Sequence, residues 1–230
     1  MSIKISDSSL KIIFKNIQKH SPYPSKVSIV AVTKGFDHQA ILSAVSKNIK
    51  CVGENKVQEF FKKKQKITQT NFESHLIGHL QSNKIKKAIE VFDVIQTVDS
   101  IKLAEQLNEQ LLILDKKKPI YIQINIGNDA NKFGFNPSSV LKKIEKIEKM
   151  KQLTIKGVMT ILPYLEKPAN TENLFKKTRH IFQETQQKIS PTCQQISMGM
   201  SRDYIYALKQ GATHIRIGTL LYGSRPANVY

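Results

Sequence analysis

The chain has 230 residues, 40% of them hydrophobic, and carries 36 Lys+Arg against 18 Asp+Glu, a formal charge of +18. That much apolar material builds a packed core and excludes a disordered chain, and no apolar run nears the ~20 residues that cross a bilayer. Two cysteines, Cys51 and Cys193, exclude a disulfide framework and a Cys-rich metal site.

The N-terminal segment carries charge throughout and lacks the apolar stretch of a signal peptide, which predicts a cytoplasmic protein. Within it, Asp7 to His20 reads as an amphipathic helix capped by Ser6 or Asp7. The first short apolar run follows, Val27 to Thr33. Seven more come after it: Lys50–Gly53, His75–Gly78, Val94–Val98, Ile120–Ile126, Ile155–Thr160, Cys193–Met198 and His214–Gly218. Between them lie helical stretches near 38–48, 55–66, 82–91, 100–114, 137–150, 171–189 and 202–210. Asp37 and Ser82 stand at helix starts, Asn136-Pro137 opens the fifth helix with proline at its first position, and Gly211 closes the last.

Strands alternating with helices imply parallel pairing through right-handed crossovers. Eight such strands close on themselves, so the expected fold is α/β, a (β/α)8 TIM barrel with an extra N-terminal helix. An open doubly wound sheet is the alternative, but no GxGxxG turn follows the first strand. Without a Pro/Gly/Ser-rich linker or an internal repeat, residues 1–230 read as one domain.

The charge points to polyanions, nucleic acid or an anionic membrane, or to solvated helix faces. Four of the basic residues are arginines (Arg179, Arg202, Arg216, Arg225) and the rest are lysines, mostly in helical stretches. No nucleic-acid recognition module accompanies them, so solvated faces are the expectation, with no dedicated nucleic-acid or membrane partner.

In such a barrel the chemistry collects at the C-terminal ends of the strands. Strand 1 ends in Thr33-Lys34-Gly35, strand 2 in Gly53-Glu54-Asn55, strand 3 in Gly78-His79; strand 5 carries Asn125 and strand 6 ends in Met159-Thr160. Lys34 leaves the barrel wall after a mostly apolar run. It either snorkels to solvent or is desolvated into a nucleophilic amine suited to a Schiff base. Strands 7 and 8 end in Ser197-Met198-Gly199-Met200-Ser201 and Arg216-Ile217-Gly218-Thr219. Their glycines and hydroxyls suit a phosphate, which barrels commonly bind at these two loops. A lysine beside a phosphate cradle suggests pyridoxal 5'-phosphate (PLP). Arg216 shares the inward side of strand 8 and either pairs with a barrel carboxylate or donates to the pyridine nitrogen. A permanently charged donor there leaves the ring unprotonated, which weakens carbanion chemistry.

The segments AVTKGF, GENKVQEF, HLIGHLQSNK, GVMTI and ISMGMSRDYIYALKQGATHIRIGTLLYGSR resemble the pyridoxal phosphate homeostasis protein family over about residues 27 to 226. That family is itself similar to the N-terminal barrel of alanine racemase. The resemblance implies a usually monomeric PLP-binding barrel that keeps the cofactor available, without efficient catalytic turnover and possessing no metal, with PLP-dependent apo-enzymes as candidate recipients. It places the Schiff base on Lys34, Asn55 near the ring face, Ser201, Gly218 and Thr219 around the phosphate, Arg216 at the ring nitrogen, and Met200 among the cofactor-binding residues. His79 corresponds to a histidine that either lines the pocket or sits hydrogen-bonded on the rim. This chain departs from the family pattern at Ser74-His75, at Lys56 and at Phe133, all bearing on rim shape. The alternative is a PLP-dependent amino-acid racemase of low activity. Racemases draw a second base from a further C-terminal domain, for which the residues after Gly218 leave no room; Tyr222 or Tyr164 would have to substitute.

Overall fold

The computed structural model describes residues 3–68, 71–163 and 168–224. Eight parallel strands close into a barrel in sequence order: β1 (Ser28–Val32), β2 (Cys51–Glu54), β3 (Glu73–Leu76), β4 (Val94–Val98), β5 (Lys118–Ile124), β6 (Leu153–Thr160), β7 (Gln195–Met200) and β8 (His214–Ile217). Closure is direct: β8 pairs with β1, Arg216 opposite Val30. The expected TIM barrel is the observed fold.

The first helix, α1 (Asp7–His20), precedes the barrel. Ser6 is its cap, accepting from the Ser9 N–H, and Asp7 supplies the acidic first turn. Ile13 and Ile17 bury its inner face, and Asn16 reaches the Tyr204 hydroxyl at 2.7 Å. The crossover helices are α2 (His38–Ser46), α3 (Val57–Lys64), α4 (Ile85–Val91), α5 (Ile101–Ile113), α6 (Val140–Glu148), α7 (Pro168–Lys188) and α8 (Tyr204–Lys209); a single turn, α9 (Thr219–Tyr222), follows β8.

Two helix starts differ from the sequence reading. Proline at 137 does not open α6, because the Asn136 side chain accepts from the Ser138 N–H and hydroxyl, holding a turn that delays the helix to Val140. α7 instead begins at Pro168, earlier than the apolar periodicity suggested.

Most strand residues are buried on both faces, as parallel strands beneath helices must be. The outer layer is aliphatic and packs on the helices. The lumen is polar. Ser197 on β7 donates to Gln96 on β4 at 2.7 Å, and strands that far apart in the ring can be joined only across the interior. Tyr121 and the rings of His75 and His214 pack edge-on or tilted nearby. Among the described residues, no helix is long and apolar enough to cross a membrane.

Candidate functional site

The C-terminal ends of the strands open into a cavity of about 650 Å³, a volume suited to a small ligand. Lys34, Asn55, Met200, Ser201, Arg216, Gly218 and Thr219 all line it. Seven of the eight residues expected to bind the cofactor therefore face one space, His79 being the exception.

Lys34 sits just beyond β1, half-buried, on a turn whose two neighbours are fixed from beneath. The Thr33 hydroxyl donates to Glu54 Oε1 at 2.6 Å, and the Thr33 carbonyl accepts from Lys63 Nζ at 3.0 Å. On the other side the Gly35 N–H donates to Glu59 Oε1 at 2.8 Å. Lys63 joins the two carboxylates, at 2.5 Å from Glu54 and 2.7 Å from Glu59. Burial pushes the Glu54 carboxyl up, and Lys63 and Thr33 pull it back. Lys63 is thus no solvated helix lysine: it is buried, and it holds the turn that presents Lys34.

Asn55 follows β2 and rests on Gly78. A Cβ at position 78 would stand 2.3 Å from the Asn55 carbonyl oxygen, so only glycine permits this approach.

Arg216 is 3% exposed. It donates to the Ser197 hydroxyl at 2.8 Å and to the Thr160 carbonyl at 2.7 Å, both neutral acceptors, and no barrel carboxylate bonds to it among the described residues. Burial lowers its pKa to about 10, with Asp203 opposing. It remains a cation at neutral pH.

The loop after β7 turns sharply at Gly199, where φ is +89° and a Cβ would meet Ala207 at 2.5 Å. Asp203 ties the loop back by accepting from the Met200 N–H at 2.6 Å. Burial raises the Asp203 carboxyl, against the Met200 hydrogen bond and the Arg216 charge. Among the described residues lining the cavity, Lys34, Arg202 and Arg216 are the cations and Asp203 the one carboxylate, a balance that favours an anion.

His79 lies apart from this lining. Its ring stacks on Phe133 at 3.7 Å and its Nδ1 meets Asp99 at 2.8 Å. Asn125 is likewise occupied, donating to the carbonyls of Asp129 and Lys132 to shape the loop after β5. Tyr222 buries its hydroxyl on the Ala40 carbonyl at 3.0 Å and packs against Phe36, and Tyr164 lies outside the described residues. Sequence reasoning missed Arg202, Asp203, Thr171 and Tyr206, which also line the cavity. The first two follow Ser201 directly and were within reach of the strand-end search; Thr171 and Tyr206 lie on helices and carry no strand-end signal.

Residues 5–226 match the family model described as alanine racemase, N-terminal domain. The pyridoxal phosphate homeostasis protein of Haemophilus influenzae is 38% identical over 202 residues, 86% of this chain and 85% of that protein. The same named protein from Aquifex aeolicus is 32% identical, covering 86% of each chain. Among solved structures, PipY of Synechococcus elongatus superposes with a TM-score of 0.83 without PLP at 35% identity, and 0.80 with PLP bound at 33% identity. Each covers 92% of this chain and 100% of that one.

Proposed function

The chain belongs to the pyridoxal phosphate homeostasis protein family, and on that footing we propose that it binds PLP at the C-terminal mouth of its barrel and serves PLP homeostasis without efficient turnover of its own. The observation that carries the reading is the convergence of Lys34, Arg216 and the two Gly-hydroxyl loops on one cavity.

The donor set suits the group. PLP brings an aldehyde that condenses with an amine, a phosphate, and a pyridine nitrogen that accepts a hydrogen bond. Lys34 is the amine that would hold the aldehyde carbon covalently. Ser201, Gly218 and Thr219, with the backbone at Met200, would take the phosphate, and Asn55 would lie along the ring. Arg216, fixed by Ser197 and Thr160, would donate to the ring nitrogen and leave it unprotonated. His79, stacked on Phe133, is assigned to the rim.

A racemase needs a second base on the far face of the ring. Tyr222 does not line the cavity; its hydroxyl is engaged with Ala40, and burial keeps the phenol protonated. Tyr222 is therefore not placed to act as that base. We assign the protein to the cytoplasm as a monomer that supplies PLP-dependent apo-enzymes.

The test is the absorption spectrum of the purified protein with PLP. A visible band that borohydride fixes onto Lys34, absent in Lys34→Ala, is expected. A protein that stays colourless after reconstitution overturns the reading. Steady conversion of L- to D-alanine, lost in Lys34→Ala, would replace the carrier with an enzyme.

A further inference from the structure

The opposite end of the barrel holds a second set of reactive side chains that the cofactor site does not use. Cys51 opens β2 and Glu73 opens β3, paired directly in the sheet register, and His75 follows two residues later on the same strand. One ligand atom from each, the Cys51 sulfur, a Glu73 carboxylate oxygen and a His75 ring nitrogen, lies within 4.8 Å of the others. We propose that these three residues bind a single zinc-like divalent transition-metal ion at the N-terminal mouth of the barrel.

A second, independent observation points to a ligand. His75 is 1% exposed, yet its Nε2 makes no hydrogen bond; it stands 3.4 Å from Glu73 Oε1, an ion-pair contact only when the ring is protonated. Buried polar nitrogens are ordinarily satisfied, and a metal ion satisfies this one.

The donor chemistry selects the ion. Sulfur and imidazole nitrogen suit zinc and its neighbours in the first transition row, whereas magnesium and calcium prefer oxygen throughout. Cys51 would release its proton to solvent as the sulfur–metal bond forms. The Glu73 side chain is 51% exposed, which gives the ion a route in and leaves room for water to complete the coordination.

The outer partner is also in place. His75 Nδ1 is 2.7 Å from the Gln96 side-chain nitrogen. A metal on Nε2 requires the proton on Nδ1, which then needs an acceptor. Turning over the Gln96 amide provides one without moving any other heavy atom, because the oxygen and nitrogen exchange places. The Ser197 hydroxyl, now accepting from Gln96, keeps its contact with Arg216.

The experiment uses tag-free, metal-stripped full-length protein without added PLP, so its outcome is independent of the cofactor reading. Titration with cobalt(II) should give one equivalent bound, with an intense near-ultraviolet thiolate-to-cobalt band that zinc bleaches by displacement. Cys193 is the other thiol, so Cys51→Ser should abolish the band. The half-exposed Glu73→Gln, which preserves the strand, should weaken zinc binding at least ~10-fold, since it removes a charged ligand. A folded wild-type protein lacking the thiolate band, or zinc affinity unchanged in both variants, overturns the proposal.

Discussion

The ammonium of Lys63 lies 3.0 Å from the carbonyl oxygen of Thr33, the residue immediately before Lys34. Through that contact a helix residue of α3 sets the backbone of the turn that carries the cavity's lysine, while two carboxylates share the same cation. Removing it strands Glu54, which is 0% exposed, without its countercharge. Lys63→Met should lower stability by about 3–5 kcal/mol, the usual consequence of breaking a buried pair from one side. It should also weaken PLP retention. Adding Glu54→Gln should recover part of the stability; urea unfolding of the single and double variants measures both. An additive double variant would show that Lys63 and Glu54 are not coupled.

The cavity and its rim should separate by mutation. Ser201→Ala and Thr219→Ala each remove a hydroxyl proposed to meet a charged phosphate, so PLP affinity should fall about 10-fold or more. His79→Ala removes the stack on Phe133 and should lower stability by about 1 kcal/mol. Its PLP affinity should change less than about 3-fold, as for a residue outside the site. Fluorescence titration with PLP provides the comparison. A loss in His79→Ala as large as in Ser201→Ala would move the histidine from the rim into the pocket.

Arg216→Glu replaces a permanent donor with a group that favours a proton on the pyridine nitrogen. The absorption of bound PLP should become pH-dependent near neutrality where the parent protein is flat. The variant also leaves the Ser197 hydroxyl and the Thr160 carbonyl without their donor, which should lower stability by about 2 kcal/mol. A spectrum unchanged across the pH range would show that residue 216 does not face the ring nitrogen.

Burial pushes the Cys193 thiol up to about 12 from an ordinary value of 9.0. The folded protein holds this proton in a range where the unfolded chain has released it, so stability is full below pH 9 and declines as pH rises toward 12. At pH 10 the loss from this group should be about 1.4 kcal/mol. Cys193→Ala should show a correspondingly smaller fall between pH 8 and 10 in urea titrations. Identical falls in both proteins would place the thiol in contact with water.

The barrel was legible because its evidence is repetitive: eight apolar runs of similar length, separated by amphipathic stretches, leave few topologies open. Seven cavity-lining residues were legible for a related reason, since a closed parallel sheet sends all its strand ends to one mouth. What escaped was whatever depends on which way a side chain turns. Lys63 sits among the lysines of FKKKQK, and nothing in that string marks one as buried against two carboxylates. His79 follows a strand like the others, but the stack with Phe133 takes it away from the cavity. Asn136 stalls a helix that its proline neighbour seemed to begin. The polar lumen had no signal at all, because Gln96, His75 and Ser197 meet only after closure.

The pairing of β8 with β1 places Arg216 opposite Val30, four residues before Lys34. The two residues proposed to grip opposite ends of the ring come from the first and last staves of the barrel. During synthesis the amine emerges from the ribosome early, and its partner only when almost everything else has been made. Neither the closed barrel nor the proposed two-ended grip exists until the eighth strand has been made and has paired with the first.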